Sequence, residues 1–207
     1  MDRIIGKCRK YINTSVIILI ADFNGSQEII FEKRNPDIPQ GDEICFPGGR
    51  INEFIDRTPE QAAIREACEE LGLSPDKIVV QRYLGTLIAT LGVTVDAFVG
   101  KVKIDSWDEI RPNVAEVQSV FSIPIAWFQS HEPEEYYVRL EVYPSELDDN
   151  GQVKYLLPAS ELRLPERYHK SWSGGKLPIY VYKTDHGIIW GITAEIAREF
   201  VKNFETE

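Results

Sequence analysis

The chain has 207 residues and a mass of 23.7 kDa, the size of one domain or of one domain with an embellishment. With 43% hydrophobic and 27% charged residues it can build an ordinary core, which excludes disorder as its main state. Lys and Arg number 23 against 33 Asp and Glu, a formal charge of −10; this excludes a dedicated duplex-DNA binder, which needs a basic surface, but not a small anionic substrate held by a few cations.

Three cysteines, Cys8, Cys45 and Cys68, with no C-x-x-C pair, argue against a disulfide framework or a zinc knuckle. The longest apolar run, Val16 to Ala21, is too short to span a bilayer. The basic stretch before it is not followed by a small-residue cleavage site, so a first β-strand is expected there rather than a signal peptide. The closing Glu205-Thr206-Glu207 carries no readable targeting signal. The cytoplasm is the expected compartment.

In chain order, residues 15–22 and 27–33 are expected strands. They are joined through Phe23-Asn24-Gly25-Ser26, in which Asn-Gly signals a hairpin. A loop rich in Pro and Asp follows, from Asn35 to Asp42, then a short strand at Glu43 to Phe46 that Pro47-Gly48-Gly49 breaks. The clearest helix runs from Pro59 to Leu71. Thr58 is its expected N-cap, Pro59 suits the first helical position and Gln61 completes a capping box. Gly72 stands where a helix ends in the left-handed conformation. Further strands are expected at 78–90, 93–103, 117–122, 136–143 and 177–183, a short helix after Pro124, and a last amphipathic helix from near Thr193 to about Phe204. Many strands and few helices in mixed order predict an α+β fold, a single domain over 1–207. Residues 144–176 read as an irregular insertion or substrate-facing loop.

The informative helix carries Glu66, Glu69 and Glu70. Their spacing puts three carboxylates on neighbouring positions of one face. Like charges so placed repel, and a hard cation with oxygen ligands, Mg²⁺ or Mn²⁺, fits the arrangement. An isolated cluster of this kind also reads as a solvated acidic face with Arg65 pairing locally. Here, however, a strand ending in Phe-Pro-Gly-Gly, a loop and a capped helix form one unit, and the glycines allow close backbone approach.

This segment resembles the box of the Nudix hydrolases, G-x5-E-x7-R-E-U-x-E-E-x-G-U, where U is a bulky aliphatic. Arg65-Glu66-Ala67-Cys68-Glu69-Glu70-Leu71-Gly72-Leu73 matches its second half. The first half departs: the early Glu falls at Arg57 and the loop is about two residues longer, with Glu53 or Asp56 as stand-ins. The resemblance implies an α/β/α sandwich around a mixed sheet. It also implies hydrolysis of a nucleoside diphosphate linked to another group, with Glu66, Glu69 and Glu70 as metal ligands and Arg65 orienting a glutamate or bridging to the loop.

Three further stretches resemble the coenzyme A diphosphatase branch. Ile29 to Arg34 with Gly41 to Gly49 resembles L-L-x-x-R-S, a spacer and G-x3-F-P-G-G, although Asn35 replaces the serine. Glu116-Val117 to Phe121 and Pro124 resembles E-V-x-x-V-F-x-x-P, and Trp190-Gly191-Ile192-Thr193-Ala194 resembles W-G-x-T-A. The implied reaction splits coenzyme A, or a thioester or oxidised form, into 3′,5′-ADP and a 4′-phosphopantetheine product. The rivals are another nucleoside diphosphate, such as ADP-ribose or a dinucleotide, and a non-catalytic binding module of the same fold. The expected partner is the small nucleotide substrate, with no nucleic acid and no membrane; a homodimer is compatible with the sequence, which does not set the oligomeric state.

Arg34 is a candidate for phosphate recognition, against an ordinary solvated strand end. Lys33, Gly48, Gly49 and Arg50 are further substrate-binding candidates. Glu116 is a candidate additional carboxylate or base, against a salt-bridged surface residue. Trp190 is expected to be core and His169 a surface or packing residue. Cys45 and Cys68 are expected to be small buried residues rather than nucleophiles.

Overall fold

The computed structural model describes residues 4, 6–23, 25–90 and 92–204. Asn24 of the expected hairpin turn, the first three and last three residues and the side chain of Cys8 lie outside the described residues. The elements are α1 (Lys7–Lys10), β1 (Ile12–Phe23), β2 (Ser26–Arg34), β3 (Ile44–Cys45), β4 (Gly48–Arg50), α2 (Pro59–Leu71), β5 (Ile78–Ala89), β6 (Val93–Val102), β7 (Val117–Pro124), α3 (Ile125–Ser130), β8 (Glu134–Val142), β9 (Ser145–Leu147), β10 (Val153–Tyr155), β11 (Trp172–Thr184), β12 (Gly187–Trp190) and α4 (Gly191–Lys202).

The chain divides into two compact units, Met1–Glu134 with Tyr180–Glu207, and Glu135–Ile179. The first holds a mixed sheet in the order β3-β2-β1-β6-β5, with β4 added to β1 and β7 to β2. β1 and β6 run parallel, and the other pairs are antiparallel. Both faces are covered, which is why β1 reads as a continuous apolar run rather than an alternating one. Ile17, Leu19 and Ala21 pack with Ala63, Ala67 and Leu71 of α2. Ile18 and Ile20 pack with Phe128 of α3 and with Ala197 and Phe200 of α4. The result is the α/β/α sandwich around a mixed sheet.

One irregularity of this sheet positions everything that follows. β1 pairs with β2 only over Ile20–Phe23, and nearer its start it pairs with β4 instead, Ser15 opposite Gly49. β2 in turn pairs with β3 at Glu32 and Lys33. The two long strands thus part company, and the segment from β3 to β4 fills the gap, its Pro47 carbonyl accepting from Ile17 N–H at 3.0 Å. Gly48 closes the contact with φ +151°; a Cβ there would lie 2.3 Å from the Ser15 carbonyl oxygen, so no side chain fits.

α2 follows its expected limits residue for residue. The Thr58 hydroxyl accepts from Gln61 N–H at 3.2 Å and Gly72 ends the helix at φ +66°. The capping box is not reciprocal, however: the Gln61 side chain accepts from Arg57 N–H rather than from Thr58. α4 begins two residues earlier than expected, at Gly191, with no side-chain cap. Its N-cap is Trp190, whose indole has no acceptor for the orphan amides. The expected irregular region of 144–176 contains the hairpin β9–β10, turned by Asp148, whose Oδ1 accepts from Asn150 and Gln152 N–H groups. Among the described residues no helix is long and apolar enough to cross a membrane.

Phe31 of β2 is fully buried and stacks on Phe46 at 4.9 Å, with Phe128 at 5.8 Å and Phe121 at 5.9 Å. It ties the β3 insertion to α3 and β7. Phe31→Ala is expected to cost about 3–5 kcal/mol, read as a lowered denaturation midpoint in urea with little change of slope.

Candidate active site

The Ala-rich face of α2 lets the helix lie close to β1 and β4, and that closeness decides where its carboxylates go. Glu70 shares the buried face, 3% exposed. Its Oε2 accepts from the Gly48 N–H at 2.8 Å. Glu66, one turn earlier, lies against Gly49, where a Cβ would stand 2.5 Å from the Glu66 carboxyl carbon. Gly49 is therefore the space that this carboxylate occupies. Glu69 points outward, its side chain 56% exposed. The three carboxylates read from the sequence as one acidic face occupy three different depths.

Arg65 joins the group. Its Nε and Nη2 donate to the two oxygens of Asp56 at 3.0 and 2.8 Å, and its Nη1 donates to Glu66 at 2.8 Å and Glu69 at 3.1 Å. Nη2 also reaches the Arg50 carbonyl at 3.3 Å. Asp56, beside the departed box position at Arg57, is the acidic loop residue that meets Arg65, not Glu53. The Arg65 guanidinium holds the Asp56 carboxyl below its ordinary range. Burial raises the Glu66 carboxyl, and Arg65 opposes the rise.

Sequence reasoning missed Glu32. It follows Ile29-Ile30-Phe31 on β2, and alternation sends Phe31 to the α3–α4 face and Ile30 and Glu32 to the α2 face. A carboxylate continuing an apolar run on a strand buried on both faces was the available signal. Glu32 is fully buried. Its Oε1 accepts from the Cys45 thiol, Sγ at 3.4 Å, while among the described residues Oε2 meets no donor except a protonated Glu70 carboxyl. Burial raises the Glu32 carboxyl; burial and then the charge of Glu32 raise Glu70. Burial and Glu32 likewise push the Cys45 thiol up, and burial raises Cys68; the two residues are part-buried rather than fully buried.

The remaining candidates separate. Arg50 is exposed and contributes its carbonyl. Arg34 lies near enough for its charge to lower Glu32 and Glu70, and its Nε donates to the Pro39 carbonyl at 3.3 Å. Glu116 is exposed, and its charge raises both Glu32 and Glu66. The Asn35 N–H donates to the Glu116 carbonyl at 2.8 Å, tying that loop to the end of β2. His169, in the second unit, is exposed and its Nε2 lies 3.0 Å from the Leu164 carbonyl oxygen. Trp190 is 47% exposed, not core; Ile189 is the fully buried residue of that pair.

Among the described residues no three Asp, Glu, His or Cys side chains form a finished ligand set. Arg65 holds Glu66 and Glu69, and Glu70 is turned to Gly48. A divalent cation nevertheless fits the donors. All are carboxylates, as hard cations prefer, and Glu32 Oε2 is a buried acceptor that a cation would satisfy.

The Glu32–Glu70 pair also sets a pH dependence. Both carboxyls, ordinarily near 4.5, are pushed up, to about 7 and about 9. In that interval the folded chain retains protons that the unfolded chain has lost, so stability falls as pH rises. With chelator present, the thermal midpoint should drop between pH 5 and about 9, and Glu70→Gln should flatten the profile; a midpoint that rises over this interval contradicts the assignment.

A sequence model described as the NUDIX domain matches residues 12–144. The mouse (Mus musculus) protein named peroxisomal coenzyme A diphosphatase NUDT7 is 31% identical over 124 residues, covering 59% of this chain and 50% of that protein. The Caenorhabditis elegans protein named peroxisomal coenzyme A diphosphatase ndx-8 is 33% identical over 92 residues, 42% of this chain and 36% of that one. The chain spans about half the length of the first curated relatives it matches. Among solved structures, a Nudix hydrolase from M. smegmatis, RenU, superposes with a TM-score of 0.47 at 21% identity, over 58% of this chain and 74% of that one.

Proposed function

The chain belongs to the NUDIX family, and from that premise we propose that it hydrolyses the diphosphate bond of coenzyme A or its derivatives, with a divalent cation, Mg²⁺ or Mn²⁺, giving 3′,5′-ADP and 4′-phosphopantetheine. The observation that carries the hydrolytic reading is the buried Glu32–Glu70 pair, with an oxygen on Glu32 that meets no donor among the described residues except a protonated Glu70, beneath the Arg65-linked Glu66 and Glu69. A pure binding module has no use for carboxylates held together at this cost. The coenzyme A reading is supported by the names of the mouse and nematode relatives and by the motifs around Arg34, Glu116 and Trp190.

Glu66, Glu69 and Glu70 would hold the cation, with Glu32 beside them. A divalent cation bound there offsets the charge of the diphosphate and makes water a better nucleophile at neutral pH. The chain's own residues do the positioning. Gly48 N–H fixes the Glu70 carboxylate and Gly49 leaves room for that of Glu66. Arg65 couples Glu66 and Glu69 to the Asp56 loop. Arg34, part-buried at the last residue of β2, offers a guanidinium to phosphate. Glu116, exposed and close enough to bias Glu32 and Glu66, is the candidate to accept the proton as water adds to one phosphorus and the phosphate on the other side of the bridging oxygen leaves. Composition and the free Cys45 and Cys68 support the cytoplasm as compartment, whereas the relatives above are named as peroxisomal.

The test is product analysis by mass spectrometry on coenzyme A, dephospho-coenzyme A, ADP-ribose and a dinucleotide, with Mg²⁺ or Mn²⁺. Release of 3′,5′-ADP from coenzyme A, reduced roughly 100-fold or more by Glu70→Gln without loss of fold, is expected. Full activity in a Glu69→Gln/Glu70→Gln double variant would sink the metal assignment. Arg34→Ala should raise KM several-fold more for coenzyme A than for dephospho-coenzyme A, which lacks the 3′-phosphate; equal effects remove its phosphate role.

A further inference from the structure

A second concavity of about 580 Å³ lies in the first unit, on the other face of the β2–β3 ribbon from Glu32. Its volume falls in the range of small-molecule sites. On β12 the alternation places Ile189 in the core and leaves Ile188 and Trp190 facing the groove, 49% and 47% exposed. The two large apolar side chains stand side by side on one strand face and form a wall of the groove. The indole is also not used for capping α4. Ile44 of β3 completes the apolar wall. The turn that carries this wall is fixed: His186 stacks on Phe121 at 4.2 Å and 9°, and Thr184 Oγ1 bonds both His186 N–H and the Gly187 carbonyl.

The rim is acidic. Lys33 is paired with Asp42 at 3.2 Å, which cancels its charge, and Glu43 lines the same groove with no ion-pair partner among the described residues. A net negative rim repels phosphate, so the groove is unsuited to the phosphate-bearing parts of the proposed substrate. An aromatic wall instead suits a flat π-system, and a free carboxylate suits an exocyclic amine. The Arg34 N–H donates to the Glu43 carbonyl at 2.9 Å and the Asp42 N–H to the Arg34 carbonyl at 3.2 Å, so the phosphate-binding candidate and the groove share one strand end.

We infer that this groove seats the adenine base of the substrate, stacked on Trp190, with Glu43 accepting from its exocyclic amine. The inference rests on the diphosphatase reading above, but it is tested by binding, without turnover. Calorimetry with the full chain and Mg²⁺ throughout would compare 3′,5′-ADP, its inosine counterpart and 4′-phosphopantetheine. Trp190→Ala should weaken 3′,5′-ADP by about tenfold or more and leave 4′-phosphopantetheine unchanged, while Trp190→Phe restores most of the loss. The wild-type chain should prefer the adenosine form over the inosine form, and Glu43→Gln should narrow that preference. The inference is overturned if 3′,5′-ADP does not bind, if it binds Trp190→Ala normally, or if 4′-phosphopantetheine is the ligand weakened. Failure of the diphosphatase reading shows separately, as wild-type chain that leaves coenzyme A uncleaved while calorimetry still reports on the groove.

Discussion

Two carboxylates buried against one helix face impose the main constraint on this molecule. Glu32 and Glu70 come from a strand and a helix far apart in sequence, and the low dielectric between them makes each other's charge expensive. The fold tolerates the pair because other groups share the load. The Gly48 amide and the Cys45 thiol each donate to one carboxylate, and Arg34 lowers both. What is left over, one oxygen of Glu32 with no donor among the described residues except a protonated Glu70, is the part of the arrangement that packing does not account for.

The sheet is built around this requirement. Had β1 and β2 paired along their whole lengths, there would be no gap for β3 and β4, and no glycine backbone beneath α2. The parting of the strands brings Gly48 to Glu70 and Gly49 to Glu66. Gly48 is thus both a packing residue and the donor to a candidate ligand. Gly49 is different in kind. What a side chain would displace there is the end of a flexible glutamate, so its lack of a side chain matters to the site more than to the sandwich.

How much of this was legible in the sequence follows from which contacts are local. α2 could be read to the residue because its signals are adjacent in the chain: Thr58, Pro59 and Gly72 act within a turn of where they stand. β1 could be read as a strand from its composition, but not its partners, because β4 is too short and too glycine-rich to carry a pattern. Glu32 escaped because its meaning depends on a helix that begins some thirty residues later. Trp190 was misread for a related reason: size and apolarity suggest the core, whereas alternation around the fully buried Ile189 sends the indole outward. In the second unit β8, expected at 136–143, is present at Glu134–Val142 although it is exposed over Tyr136, Tyr137 and Val138; its aromatic and β-branched residues were enough to mark it without a buried face.

The longer box loop illustrates how a family pattern can shift while its arginine still meets an acidic loop residue. The position where the pattern has its early glutamate is Arg57 here, and the acidic loop residue that meets the box arginine is its neighbour Asp56. Asp56 is buried, receives the Asn52 N–H at 2.8 Å and takes both Nε and Nη2 of Arg65. This bidentate pair is planar and directional, so it fixes the guanidinium while Nη1 remains for Glu66 and Glu69. A lysine could supply the charge but not the fork, and would have to choose between the loop and the helix. Arg65 therefore acts on Glu66 and Glu69 as a positioning group whose own orientation is set by Asp56, and the extra loop residues are accommodated because the constraint runs through the fork rather than through loop length.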